Sequence, residues 1–196
     1  MVDPERFDER YYERFYLGCA SRARMASHAS RTADLLYGAA RYYEIGVRRV
    51  VDLGAGTGRL LRAIGRRFPS ARLVGVELSP WAARRYGWVE RSLLDFEDAA
   101  GFDLVVCNDV LQYLDDRDAS RAIERIASLC RGLAYVTAVT DRDLAEIWDP
   151  ERSDPSGNFR SAAFYRRRLA RRFVDVGSGV QLKAETDAPV WELERR

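Results

Sequence analysis

Lysine is almost missing from this chain of 196 residues: of its 32 lysine and arginine side chains, Lys183 is the one lysine. Histidine is as scarce, with His28 alone, and cysteine occurs three times, as Cys19, Cys107 and Cys130. The cysteines stand too far apart for a zinc pattern and are odd in number, so they set up no disulfide framework. We expect reduced thiols in a cytoplasmic protein, with Cys107 in the core. No cluster of ligating side chains suggests a metal. Apolar runs fall short of a bilayer span, so no membrane partner is expected. The opening "MVDPERFDERYYERF" lacks the apolar stretch of a secretory signal. A net charge of +2 gives no ground for a nucleic-acid partner.

What is present is an ordinary globular composition, 47% hydrophobic and 32% charged. The length suits one domain, 1–196, with one sizeable core. Asp3-Pro4 reads as a helix start, and Phe7, Tyr11 and Phe15 share a face of a helix running to Leu17, where Gly18 ends it. A second helix is expected over Arg31–Tyr43. Strand-like and helix-like runs then alternate: "RRVVDL", "RLLRAIGRRF", "RLVGVEL", "SPWAARRYG", a weak strand in "WVERSLLDF", "FDLVVCN", "RDASRAIERIASLC" and "LAYVTAVT". After Thr140 come a short helix, a turn-rich loop, and a helix over "RSAAFYRRRLARR". "FVDVGSGVQLK" and "APVWELE" read as two closing strands forming a hairpin.

Such alternation builds parallel βαβ units, and the buried runs need cover on both faces. The expectation is an α/β, three-layer Rossmann-like fold: a mostly parallel seven-stranded sheet, an antiparallel C-terminal hairpin, and helices on both faces. Residues 1–46 would cover the active site, 47–140 form the cofactor-binding core, and 141–196 supply the acceptor side.

The first strand runs into "VVDLGAGTGRLL", where Gly54, Gly56 and Gly58 precede a helix. Glycine permits positive φ and close approach of a ligand to the backbone, and such a turn lies where open α/β sheets bind ligands. Arg59 stands where a dinucleotide turn needs its third glycine, and no lysine is present for a phosphate loop. Asp52 adds negative charge, suited to a ligand with a cationic part. Glu77 ends the second strand, where a carboxylate can accept from both ribose hydroxyls. Asp95 follows the third strand and could accept from an adenine amine, with Leu94 and Phe96 offering apolar contact. Tail site, ribose acceptor and base acceptor together describe adenosine bearing an amino-acid tail.

The ordered series "VVDLGAGTG", "GVELSP", "LLDF" and "FDLVVCNDVLQYL" resembles the motifs of class I S-adenosylmethionine-dependent methyltransferases over roughly residues 48–140. The resemblance implies S-adenosyl-L-methionine as cofactor, with roles for Asp52, Gly54, Gly56, Gly58, Glu77 and Asp95. Ala55 and Leu78 would line the same pocket, and Asn108, Asp109 and Val110 would lie beside the methionine portion. The chain departs from the pattern in two places. Few residues separate Asp95 from the fourth strand, so the usual helix there is short or missing. "NDVLQY" is also not the Asn/Asp-Pro-Pro-aromatic run that resembles base-methylating enzymes.

A sulfonium methyl is already electrophilic, so transfer needs an in-line nucleophile and exclusion of water rather than a metal. A general base helps only an acceptor that must lose a proton. Asp109, Tyr113, Asp141, His28 and Tyr12 are the candidates, with His28 better read as a solvated or locally hydrogen-bonded side chain. Tyr11, Tyr12, Tyr16, Trp148, Phe159 and Tyr165 could wall an acceptor pocket. The arginines at 160, 166, 167, 168, 171 and 172 read as the wet side of a helix whose apolar face is Ala162, Tyr165, Leu169 and Phe173. The first reading is methyl transfer to a small-molecule acceptor. The alternatives are an RNA or protein methyltransferase and a catalytically silent cofactor-binding module. The sequence leaves oligomeric state open.

Overall fold

Arg49–Leu53 carries Val50, Val51 and Leu53 in a stretch too short for a helix, set between arginines and a glycine turn, and it forms the central strand, β1. In the computed structural model, which describes residues 2–147, 149 and 154–194 (backbone only for 19–24), β1 pairs in parallel with β2 (Arg72–Glu77) and β4 (Phe102–Asn108). The edge strand β3 is only Val89–Glu90. β5 (Cys130–Thr137) continues the parallel set. Two antiparallel strands, β6 (Phe173–Gly177) and β7 (Val180–Lys183), complete a seven-stranded sheet of order β3-β2-β1-β4-β5-β7-β6. The order reverses between β1 and β4, which opens a crevice at their carboxyl ends.

Alternation along the strands divides the core. Val50, Leu104, Val106 and Leu133 face one layer, packed by α2 (Cys19–Tyr42) and α3 (Arg59–Arg67) through Leu36, Leu61 and Ile64. Val51, Val105, Cys107 and Ala134 face the other, packed by α5 (Asp116–Leu129) and α7 (Ala162–Leu169). Each buried valine, leucine or isoleucine among these contributes about 1.5–3 kcal/mol. Cys107 and Cys130 are buried and free.

The sheet follows the expectation except at its end. Both closing strands lie inside "FVDVGSGVQLK", because Gly177, Ser178 and Gly179 all take positive φ (97°, 53° and 80°) and turn the chain back. "APVWELE" forms no strand; Glu192–Glu194 is a single 3-10 turn with Trp191 exposed. The N-terminus also departs from one continuous helix. Asp3 caps a 3-10 turn (Pro4–Arg6), Asp8 caps α1 (Glu9–Tyr12), and the chain widens into a π-helical turn over Glu13–Leu17. α2 starts at Cys19, well before the expected Arg31; its first half has good helix formers but no apolar period to announce it. Two short helices, α4 (Pro80–Tyr86) and α6 (Asp141–Glu146), complete the scaffold. Among the described residues no helix is long and apolar enough to cross a membrane.

Candidate active site

The turn after β1 is shaped by what lies under it. Gly54 has φ +87°, and a Cβ there would come 2.3 Å from Cγ2 of Val110. Gly58 (φ +68°) and Gly75 leave room for Trp88, whose ring a Cβ at either position would strike at 2.2 and 2.4 Å. The Trp88 indole N–H donates to the Gly56 carbonyl at 2.9 Å and so holds the turn from below. Gly58 is therefore a packing position beneath the turn and not a wall of the cavity above it. Gly56 (φ +50°) faces Tyr12, whose ring would lie 3.7 Å from an added Cβ.

Above this turn lies a cavity of about 250 Å³. Of the residues expected at a cofactor, Asp52, Gly54, Ala55, Gly56, Glu77 and Leu78 line it, as do Asn108, Asp109 and Val110. Glu77 is held at the tip of β2: its Oε2 accepts from the Gly56 N–H at 2.7 Å and its Oε1 from the Ser79 N–H at 2.9 Å. Burial pushes its carboxyl up, while the N–H groups of Ser79, Gly56 and Leu78 and the Tyr12 hydroxyl pull it back. Asp52 has no such support. Burial, with the nearby Glu77 charge, raises it from 3.8 to about 7. Two crowded acids here favour a ligand that brings positive charge.

Asp109 sits at the end of β4 with φ +56°, a left-handed conformation rare outside glycine. Its Oδ2 accepts from the Asn108 amide at 3.1 Å, and its backbone N–H donates to the Thr137 carbonyl at 3.1 Å. Water reaches its side chain from the cavity, but protein surrounds it, and that burial pushes its carboxyl up; Thr137, His28 and Asn108 pull it back. His28 is exposed at the cavity mouth on α2.

The third strand end is built differently from the expectation. Asp95 is exposed and does not line the cavity, Leu94 packs against the core, and Phe96 is buried 6.2 Å from the Phe102 ring. Arg91, Ser92 and Leu93 line the cavity instead. β3 ends at Glu90, and the chain turns at once around Ser92, whose carbonyl accepts from the N–H groups of Asp95 and Phe96. Arg59, at the start of α3, was also missed; it lines the cavity and its guanidinium donates to the Tyr16 carbonyl at 2.9 Å. Its place directly after the glycines was a usable signal.

A second chamber of about 280 Å³ adjoins the first, and Tyr11, Tyr16, Met25, Asp109 and Tyr113 line both. The hydroxyls of Tyr11 and Tyr113 are 3.0 Å apart, and burial raises both phenols. Phe15 and Phe159 add apolar walls on the outer side. Tyr12 belongs to the inner cavity; it is 4% exposed, stacks on Trp81 at 5.1 Å, and burial raises its phenol too. Tyr165 is buried elsewhere, against Arg160. Asp141 is exposed at the start of α6, outside both chambers. Trp148 lies outside the described residues.

The arginine segment also divides. Arg166, Arg167, Arg171 and Arg172 are exposed, and Arg168 lies 3.5 Å above the Phe164 ring. Arg160, in contrast, is 9% exposed and pins the segment after β5 to the β4–α5 loop. It donates to Asp116 at 2.6 Å, and to the Leu111 and Asn158 carbonyls at 3.3 and 3.0 Å.

Residues 51–132 match the family model of a methyltransferase domain. Relatives include a type II methyltransferase from Xanthomonas campestris pv. amaranthicola, 36% identical over 34% of this chain and 14% of that protein. A malonyl-[acyl-carrier protein] O-methyltransferase from Halorhodospira halophila is 31% identical over 64% of this chain and 47% of its own length. The chain thus spans less than half of these curated relatives. Among solved structures, magnesium protoporphyrin IX methyltransferase from Synechocystis PCC 6803, determined with bound S-adenosylmethionine, superimposes with a TM-score of 0.65 at 15% identity, covering 94% of this chain and 99% of that one. The match to the methyltransferase-domain model thus spans residues 51–132, and the seven-stranded sheet has the same fold as the solved methyltransferase.

Proposed function

We propose that the protein transfers a methyl group from S-adenosyl-L-methionine to a small-molecule acceptor. The observation that carries this reading is the grouping of the glycine turn, Glu77, Asp52 and Asp109 around one cavity at the β1/β4 switch point. The residues fit the cofactor: a Cβ at Gly54 would close the turn, Glu77 offers paired ribose acceptors, and Asp52 offers negative charge for a sulfonium. Ser92 and Leu93 take the adenine end in place of Asp95, and Arg59 and His28 suit the carboxylate of the amino-acid tail. When bound, the cofactor supplies an activated methyl group. The chain's own part is to orient the acceptor, exclude water behind the N-terminal tyrosines, and accept a proton at Asp109 when the acceptor carries one. A small acceptor is supported by the modest size of the second chamber, and a relative named for malonyl-[acyl-carrier protein] is in keeping with it.

Titration calorimetry with S-adenosylhomocysteine tests the reading. Glu77→Ala should weaken binding by about 1–3 kcal/mol through loss of charged hydrogen bonds. Unchanged affinity would remove the ribose role, and a turnover assay across acceptor panels tests the transfer itself.

A further inference from the structure

The wall of the inner cavity changes character along the sheet. In strand order, β4 and β1 bring Asp109 and Asp52, β2 brings Glu77, and the end of β3 brings Arg91, Ser92 and Leu93 beyond it. The carboxylates that line the cavity are Asp52, Glu77 and Asp109, so among the described residues none stands at the β3 end. Asp95, the acid expected there, is exposed and lies outside the cavity.

An independent observation comes from the hydrogen bonds of Ser92. Its carbonyl accepts from the N–H groups of Asp95 at 3.1 Å and Phe96 at 3.0 Å, which fills both lone pairs. Its Oγ accepts from the Leu94 N–H at 3.2 Å. A hydroxyl oxygen that accepts in this way keeps its O–H to give. Arg91 is held beside Glu77, its N–H donating to the Glu77 carbonyl at 3.0 Å, and its guanidinium can only donate. It is exposed at the cavity rim. Leu78 and Leu93 complete this end with apolar contact that suits any purine.

At the six-position, adenine presents a donating amine and a 6-oxo purine an accepting oxygen. A site that reads adenine by its amine needs an acceptor there, and it rejects the oxo analogue because that acceptor is left unmatched. The β3 end offers donors instead. We infer that Ser92 and Arg91 set the base selectivity of this cavity, and that it takes the 6-oxo-purine form of the cofactor as readily as the adenine form. The inference rests on the proposed cofactor reading and concerns the nucleobase that the cavity admits. Glu77 and Asp52 serve ribose and tail alike in both forms, so the difference falls on Ser92 and Arg91 alone.

The test is titration calorimetry on the whole chain with S-adenosylhomocysteine and its deaminated analogue, S-inosylhomocysteine. The unaltered protein should bind the analogue with less than about a ten-fold loss of affinity, the size of effect that one charged hydrogen bond to the amine would exceed. Ser92→Asp keeps an oxygen for the Leu94 N–H, as in an Asx turn, and adds the missing acceptor. It should raise the preference for S-adenosylhomocysteine to about ten- to hundred-fold. A ten-fold or greater preference in the unaltered protein overturns the inference and leaves the cofactor reading standing. A folded Ser92→Asp protein with no rise in preference overturns it too, by removing Ser92 from the base. Failure to bind S-adenosylhomocysteine at all overturns the cofactor reading and the inference with it. The comparison of the two ligands uses the unaltered protein, so it decides the matter even if the variant folds poorly.

Discussion

The inner cavity and the outer chamber are neighbours built by different means. The inner one is made from strand ends and a turn: main-chain N–H groups fix Glu77, and Trp88 holds the glycine loop from beneath. The outer one is assembled from the N-terminal helices and the segment after β5, which reach the site through side-chain ties such as Arg6–Asp154 and Arg160–Asp116. Backbone geometry fixes a ligand's shape, and side-chain ties let the neighbouring wall vary independently. The same sheet can then serve different acceptors.

Substitutions should separate the two regions. Gly56→Val should have the largest effect on binding, because the side chain enters the cavity and φ +50° is strained for valine. S-adenosylhomocysteine binding should be lost by calorimetry, and normal binding would show that the turn is not the cradle. Arg160→Ala should act on the other side: loss of its buried ties to the Leu111 and Leu114 carbonyls should lower stability by about 1–3 kcal/mol in denaturant titrations. Cofactor-product affinity of the folded fraction should change little. Equal loss in both measurements would mean that the regions are one cooperative unit.

Asp52→Asn should sharpen the contrast through pH. The folded-state carboxyl is raised from 3.8 to about 7, so the folded protein holds a proton that the unfolded chain releases. Its contribution to stability is full below about pH 3.8 and is lost as pH rises through about 7, a fall of at most about 4 kcal/mol. Glu77 and Asp109 are shifted in the same direction. Melting curves of ligand-free protein between pH 4.5 and 7.5 should therefore slope less in the Asn variant. An unchanged slope would assign the effect to the other two acids.

The sequence made the inner cavity legible because strand ends follow from hydrophobic runs. Where "VVDL" stops, Gly54 must turn; where "GVEL" stops, Glu77 must face the crevice. The same logic failed at Asp95 because β3 is two residues long and the turn at Ser92 comes at once, so the crevice receives Arg91–Leu93. The C-terminal hairpin was misplaced because Gly-Ser-Gly was read as strand interior rather than as three successive positive φ angles. The outer chamber was legible only in part. Tyr11, Tyr16, Asp109, Tyr113 and Phe159 were expected at the site, but Gln112, Asp143 and Asp154 meet through long-range loop contacts that no local pattern encodes.

Trp88 carries one more consequence. Because its ring fills the space beside Gly58 and Gly75 and also grips the Gly56 carbonyl, positions 58, 75 and 88 form a single mutational unit. Bulk at either glycine would be accepted only alongside a smaller residue at 88, and that exchange would loosen the cradle. Library designs that vary this rim should couple the three positions rather than randomise each alone.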